Sequence, residues 1–391
     1  MDNFIYYAPT KIYFGTNNLE NIVTEIKSRN YKKILLHYGM SSIKKIGLYD
    51  EIIKLFNENN IDFVELSGVL PNPKLSKVIE GVKLVKEENV DFILAVGGGS
   101  VIDSAKSIAC GAKTDLNPWL FNTHEKTPKD AIDVGVVLTI SAAGSEMSNS
   151  CVITNDKTND KRGFNTDIIR PKFAILDPTY TFTVSKYQTA CGICDILMHT
   201  LERFVSEVNV ENDLTDNLAI ALIKSVLKYG KIAIENPSNY EARATLMWAS
   251  SVSHNGLTSC GRKFIMSVHQ IEHALSGIYD EIPHGEGLSI LWPNWAKFAL
   301  KSAQNRFSKL AYEVLNVNRD INEEEAGLIF INYLQNYFKK IGLKTTLSEC
   351  NITKNDLEPI ALLATFNKTR IIKDVIDTDY KLCLDILNEA L

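Results

Sequence analysis

Long apolar runs are missing from this 391-residue chain, and no stretch approaches the roughly 20 residues that a membrane-spanning helix requires. Its first residues, Met1-Asp-Asn-Phe-Ile-Tyr-Tyr7, have neither the basic start nor the apolar centre of a secretory signal. Basic charge is not in excess either. Lys and Arg total 42 against 47 Asp and Glu, a formal net charge of −5, so no general affinity for nucleic acid or anionic membrane is expected. Cysteine is sparse: seven residues, an odd number, with one C-x-x-C at Cys191-Gly-Ile-Cys194 and no second such pair. That pair sits in a helical pattern beside Asp195 and reads as structural thiols ahead of a redox or zinc site. The cytoplasm is the expected compartment. Histidine is scarce as well, seven in all, yet five fall between His199 and His284.

A chain of this length predicts two domains. Before about residue 185, apolar β-type runs alternate with amphipathic segments. Strands are expected at Lys33–Tyr38, Ile61–Leu66, Phe92–Val96 and Val134–Thr139, with helices at Ser41–Asn57, Leu75–Glu88 and Ser100–Cys110. Such alternation predicts a parallel α/β sheet with helices on both faces. After 185 strand signals nearly vanish, and helices are expected over Ala190–Ser206, Asp213–Glu235, Tyr240–Ser259, Ile265–Leu275 and from Gly287 onward. The predicted organisation is therefore an α/β domain over 1–185 and an all-helical domain over 186–391, divided just after Asp177-Pro178-Thr-Tyr180.

The helical half carries the densest chemistry. Asp195-x3-His199 places a carboxylate and an imidazole on one helical face. His269-x3-His273 repeats the spacing, and Pro283-His284-Gly285 adds a third imidazole at a turn. Asp195, His199, His269 and His284 together suit one divalent cation, with Fe²⁺ or Zn²⁺ favoured. His37, His124 and His254 fit no such pattern, and a structural or surface role is expected of each.

The α/β half offers Gly97-Gly98-Gly99-Ser100 between an expected strand and an expected helix. Glycines there let backbone approach a pyrophosphate, and the helix N-terminus points N–H groups at it. The competing reading is a tight turn with Ser100 as N-cap. After the first buried strand comes Gly39-Met40-Ser41-Ser42-Ile43-Lys44-Lys45, with no acid until Asp50. A carboxylate there would bind a ribose 2′-hydroxyl and repel a 2′-phosphate. Its absence predicts NADP(H) over NAD(H), with Gly39, Ser41 and Ser42 at the 2′-phosphate.

Taken in order, these segments resemble the iron-containing alcohol dehydrogenase family across nearly the whole chain, most of all its NADPH-dependent butanol dehydrogenase and aldehyde reductase branch. Gly97-Gly98-Gly99-Ser100 through Asp103 and Lys106 matches the pyrophosphate motif, and Thr139-Ile-Ser-Ala-Ala-Gly-Ser145-Glu146-Met147 the second cofactor loop. Leu176-Asp177-Pro178 with Tyr180 matches the junction between domains. Gly192-x2-Asp195-x3-His199-x2-Glu202 and His269-x3-His273…Pro283-His284-Gly285 match the metal segments. The resemblance implies a Rossmann-like dinucleotide-binding domain and a metal-binding helical domain, with the nicotinamide reaching between them. Hydride would pass between NADPH and short- to medium-chain aldehydes such as butanal. It implies cofactor contacts at Thr139, Ser145, Lys161 and Tyr180, a second-sphere proton-relay role for His273, and a homodimer. Two departures stand out. Phe264-Ile265-Met266 replaces the Gly-Asp-Trp of many relatives ahead of His269, and Ala143 stands where many have Thr. Alternatives within the fold are a polyol dehydrogenase and a dehydroquinate-synthase-like lyase. A metallohydrolase would need no glycine-rich turn, and a non-catalytic binding protein would need no metal ligands.

Overall fold

The computed structural model describes residues 1–391. Strands β1 (Lys11–Phe14), β2 (Lys33–Tyr38), β3 (Asp62–Leu66), β4 (Phe92–Gly97) and β5 (Asp133–Leu138) are followed by β6 (Ser150–Asn155), β7 (Asp160–Asn165) and β8 (Phe173–Leu176). Among them lie helices α1 (Asn21–Ser28), α2 (Ser42–Lys45), α3 (Leu48–Glu58), α4 (Leu75–Glu87), α5 (Gly99–Ala112) and α6 (Trp119–Asn122). The rest of the chain forms α7 (Lys186–Val205), α8 (Asp213–Glu235), α9 (Tyr240–His254), α10 (Ser267–Ile278), α11 (His284–Leu300), α12 (Gln304–Leu315), α13 (Glu323–Lys340), α14 (Leu357–Ala364) and α15 (Tyr380–Glu389).

Six strands form one parallel sheet in the order β1-β8-β5-β4-β2-β3. Alternation along these strands feeds two cores. Leu35, Ile93, Ala95, Val134, Val136 and Ala174 face one way with α4 and α5 residues. Ile34, Leu36, Leu94, Val96, Val137 and Ile175 face the other way with α1 and α3 residues. A sheet buried on both faces needs apolar residues at every position, which is why these strands read as unbroken runs. The antiparallel hairpin of β6 and β7 was not anticipated from the sequence, nor were β1, β8 and α1.

Several boundaries differ from expectation. The helix expected over Ser41–Asn57 is two helices, because Gly47 takes φ 80° and breaks the run. The helix expected over Tyr240–Ser259 stops at His254, with Gly256 at φ 99° turning the chain. The glycine turn is capped by Gly98 rather than by Ser100, and α5 starts at Gly99. α7 starts four residues before Ala190 because the Ser185 hydroxyl accepts the backbone N–H of Gln188.

By packing, the chain divides into an α/β unit, Ala8–Val184 with Pro237–Ser251, and a helical unit, Met1–Tyr7 with Ser185–Asn236 and Val252–Leu391. Two segments thus depart from a division at 185. Most of α9 joins the α/β unit: the Ser250 hydroxyl bonds both the N–H and the C=O of Ala142, and Ser251 donates to Glu146. The first seven residues join the helical unit, where the Asp2 N–H donates to the Gly261 carbonyl.

Candidate active site

In the helical unit, α7 carries Asp195, His199 and Glu202, α10 carries His269, Glu272 and His273, and His284 is the first residue of α11. The apolar faces of these helices are buried, as are Asp195, His199 and His269 themselves. Asp195 Oδ1 lies 3.5 Å from His199 Nδ1, 3.6 Å from His269 Nε2 and 3.8 Å from His284 Nε2. The donor atoms of Asp195, His199 and His269 therefore lie within 4.8 Å of one another, and His284 Nε2 approaches the same Asp195 oxygen from α11, where it also neighbours Glu272 and His273. Asp195 Oδ1, His199 Nδ1 and His269 Nε2 are buried and have no hydrogen-bond partner. Buried polar atoms are seldom left so, since each costs about 1–3 kcal/mol. Three facing one another, with carboxylate and imidazole donors, fit a divalent cation of the Fe²⁺ or Zn²⁺ type.

Two glycines make this convergence possible. A Cβ on Gly285 would sit 2.1 Å from the Cys191 carbonyl oxygen, so α11 meets α7 backbone to side-chain-free backbone. A Cβ on Gly287 would sit 2.8 Å from Glu272 Cγ. A larger residue at Gly285 would push α11 off α7 and His284 away from Asp195, and one at Gly287 would displace the Glu272 side chain.

The surroundings set the charge of the rings. Burial and the neighbouring imidazoles of His254 and His269 drive His199 well below the usual histidine range. Burial also opposes charge on His269, but Glu202 and Asp195 outweigh it and hold this ring up at about 9. A proton on His269 Nε2 and a cation at Asp195 therefore compete for one lone pair. Glu202 Oε1 pairs with His269 Nδ1, and Glu272 Oε2 with His284 Nδ1. His273, half-buried, lies with its ring centroid 5.7 Å from that of His284. His254, expected to be structural or on the surface, lies tilted against His199 with ring centroids 4.1 Å apart. The Arg203 guanidinium is buried under Phe264, with Nη1 donating to the Ser253 carbonyl at 3.2 Å and also to that of His199. Sequence reasoning gave no role to Glu272, His254 or Arg203. The signal for the first was present: α7 and α10 each place a Glu three residues after a His, at 199/202 and 269/272.

In the α/β unit, Gly97, Gly98, Gly99 and Ser100 form the β4–α5 turn, and the Thr139 N–H donates to the Gly97 carbonyl. A Cβ on Gly98 would meet Ile140 at 2.3 Å, so close approach of the β5 loop requires glycine there. Gly39 lies beside Val101 of α5, and Ser41 and Ser42 open α2. The Asp103 carboxylate accepts the Ser145 hydroxyl at 2.6 Å and the Val152 N–H at 2.9 Å. Buried Lys106 donates to the backbone or hydroxyl oxygens of Ser145, Ser148 and Ser150. Burial lowers Lys106 to about 8, partly offset by Asp103. These groups brace the second loop against α5. Lys161 is buried on β7, close enough to act electrostatically on Asp103. Tyr180 packs on the α1/α3 core, and burial followed by Asp177 raises its hydroxyl. Lys44, a candidate phosphate contact, lies 4.4 Å over the Tyr49 ring.

Comparison with known proteins gives a consistent result. Residues 9–178 match the family described as "Iron-containing alcohol dehydrogenase", and 189–391 match "Fe-containing alcohol dehydrogenase family, C-terminal". The chain is 42% identical over 368 residues to NADH-dependent butanol dehydrogenase A of Clostridium acetobutylicum, with 94% of each chain covered. It is 33% identical over 352 residues to an NADPH-dependent aldehyde reductase of Escherichia coli, with 89% of each covered. The crystal structure of NADH-dependent butanol dehydrogenase A from Thermotoga maritima superposes with a TM-score of 0.96 at 36% identity, covering 100% of this chain and 99% of that one.

Proposed function

Since the chain belongs to the iron-containing alcohol dehydrogenase family, we propose that it interconverts butanal-like short- to medium-chain aldehydes with their alcohols at a cation held by Asp195, His199, His269 and His284. It is a nicotinamide- and metal-dependent alcohol dehydrogenase. The observation that carries the site assignment is the convergence of three buried polar atoms without hydrogen-bond partners on one point. A cation there supplies Lewis-acid stabilisation of charge developing on a carbonyl oxygen, and the reduced nicotinamide supplies the hydride. Asp195 supplies the only anionic donor, and three neutral imidazoles leave most of the cation's charge available. Burial of Asp195, His199 and His269 limits competition from water on that side of the site. Reduction consumes one proton besides the hydride. His273, half-buried next to His284 and outside the donor set, is proposed as the group that passes it.

Residues 1–185 form the proposed dinucleotide-binding domain and 186–391 the metal and substrate domain. In the first, Gly97, Gly98, Gly99 and Ser100 take the pyrophosphate, Thr139, Ser145, Lys161 and Tyr180 line the cofactor, and Asp103 steadies the loop through Ser145. NADP(H) is the proposed cofactor, supported by the acid-free segment Gly39–Ser42; the relatives include both NADH- and NADPH-dependent enzymes. A homodimer is proposed because Phe4, Ile5, Tyr6 and Tyr7 are all exposed apolar residues in succession. No helix is long and apolar enough to cross a membrane. A cytoplasmic location is proposed on the seven free thiols. The test is metal analysis of protein purified without chelator, with consumption of NADPH and NADH by butanal before and after chelation. One equivalent of metal and chelator-sensitive turnover are expected. Full turnover without metal would refute the reading, as would full metal occupancy in His269→Ala.

A further inference from the structure

Buried Glu202 and Glu272 have no place in the donor set, yet each pairs with the Nδ1 of a histidine whose Nε2 faces Asp195. The pairing runs from helix to helix. Glu202 of α7 takes His269 of α10, and Glu272 of α10 takes His284 of α11. Glu202 reaches further: its Oε2 accepts the Val268 N–H at 2.7 Å and the His269 N–H at 3.4 Å, where α10 begins without a side-chain cap of its own. His199, the first histidine in the chain, differs. It turns Nδ1 rather than Nε2 toward Asp195 and packs at a tilt against the His254 ring.

We infer that Glu202 and Glu272 are positioning residues that fix the tautomer and ring angle of His269 and His284, an inference that rests on the ligand assignment above. A carboxylate accepting Nδ1–H leaves the lone pair on Nε2 and makes that nitrogen more basic. Because each carboxylate comes from the preceding metal helix, the relay also locks the order in which α7, α10 and α11 pack. Glu272, His273 and His284 are near enough to hold a second ion. The direct Glu272–His284 pairing favours the orienting role instead.

The test uses the full-length chain, stripped of metal and titrated with Zn²⁺ against a chromophoric chelator. Glu272→Gln keeps an oxygen acceptor but no charge, and should bind one equivalent about 10–100-fold more weakly. Glu272→Ala should bind more weakly still. A purely structural role for Glu272 would lower the melting temperature of the metal-free protein and leave the Zn²⁺ affinity of the folded fraction unchanged, which would overturn the inference. So would a wild-type stoichiometry of two that falls to one in Glu272→Gln, since Glu272 would then be a ligand. Asp195→Ala separates this inference from its premise. If it keeps wild-type affinity, the ligand assignment fails; if it loses Zn²⁺ while Glu272→Gln binds normally, only the relay fails. Should Glu272→Gln not fold, Gly287→Ala displaces Glu272 by contact at Cγ without removing its charge. It should weaken Zn²⁺ binding, and unchanged affinity there would likewise overturn the relay.

Discussion

Gly285→Ala is the smallest change that should disable the metal centre without touching a donor. The added Cβ would lie 2.1 Å from the Cys191 oxygen, 2.6 Å from its carbonyl carbon and 2.7 Å from its Cα. Ordinary non-bonded carbon contacts are about 3.5 Å, so α11 must withdraw from α7 by roughly 1 Å. The obstacle is backbone within a 20-residue helix, not a side chain that can rotate away. Overpacking of this kind costs about 1–3 kcal/mol. The same withdrawal carries His284, the adjacent residue, away from Asp195 Oδ1, already 3.8 Å distant. Metal affinity should therefore fall together with stability, although all four donors remain. The assay is urea denaturation of the metal-free protein alongside metal content after dialysis against a weak chelator. An unchanged unfolding midpoint with full metal retention would refute the close approach of α11 to α7 and with it the reason for glycine here.

Three further outcomes follow from the structure. His37 is buried between the Leu66 carbonyl and the Ser104 hydroxyl, and burial lowers it to about 4 from 6.5. Its folded value lies below its unfolded one, so the unfolded chain binds the extra proton between those two values. Stability from this group is complete above about pH 6.5 and is lost as pH falls toward 4, by about 3 kcal/mol in all; His37→Gln should flatten that part of the pH dependence in urea titrations. Asp216, buried, accepts from Arg262, Arg306 and Lys309; Asp216→Ala leaves two buried guanidiniums unpaired and should cost about 3–5 kcal/mol by denaturation, tempered at half-exposed Lys309. Gly39→Asp should shift the ratio of kcat/KM toward NADH by adding the acid that segment lacks, and an unchanged ratio would remove Gly39 from the ribose site.

What the sequence made legible was set by how local each signal is. Helix α8 was readable to the residue, and β2 likewise, because periodicity or an unbroken apolar run contains its own ends. The break at Gly47 depended on one glycine taking a left-handed conformation, which periodicity alone does not report. The β6–β7 hairpin was missed although Asn155-Asp-Lys-Thr-Asn-Asp160 is a turn-type segment, with Asn159 at φ 56°. The assignment of 237–251 to the α/β unit and of residues 1–7 to the helical unit was not legible. Each rests on contacts such as Ser250 with Ala142 and Asp2 with Gly261, whose partners are over 100 residues away.

The proposed donors were easy to pick out because metal chemistry restricts residue type. The groups that place them were not, since Glu and Gly serve many purposes. Yet the structure gives these groups equal weight. Three buried atoms without hydrogen-bond partners cost about 1–3 kcal/mol each before any cation arrives, a sum comparable with the roughly 5–15 kcal/mol by which a domain is stable at all. The donors face one another despite this cost because helix packing leaves them no alternative. Gly285 admits α11 to α7, Gly287 leaves room for Glu272, and Glu202 anchors the start of α10. Without that packing, Asp195 and the three histidines would turn toward water or toward each other's protons. The proposed metal centre is thus specified by helix contacts at least as much as by its candidate ligands.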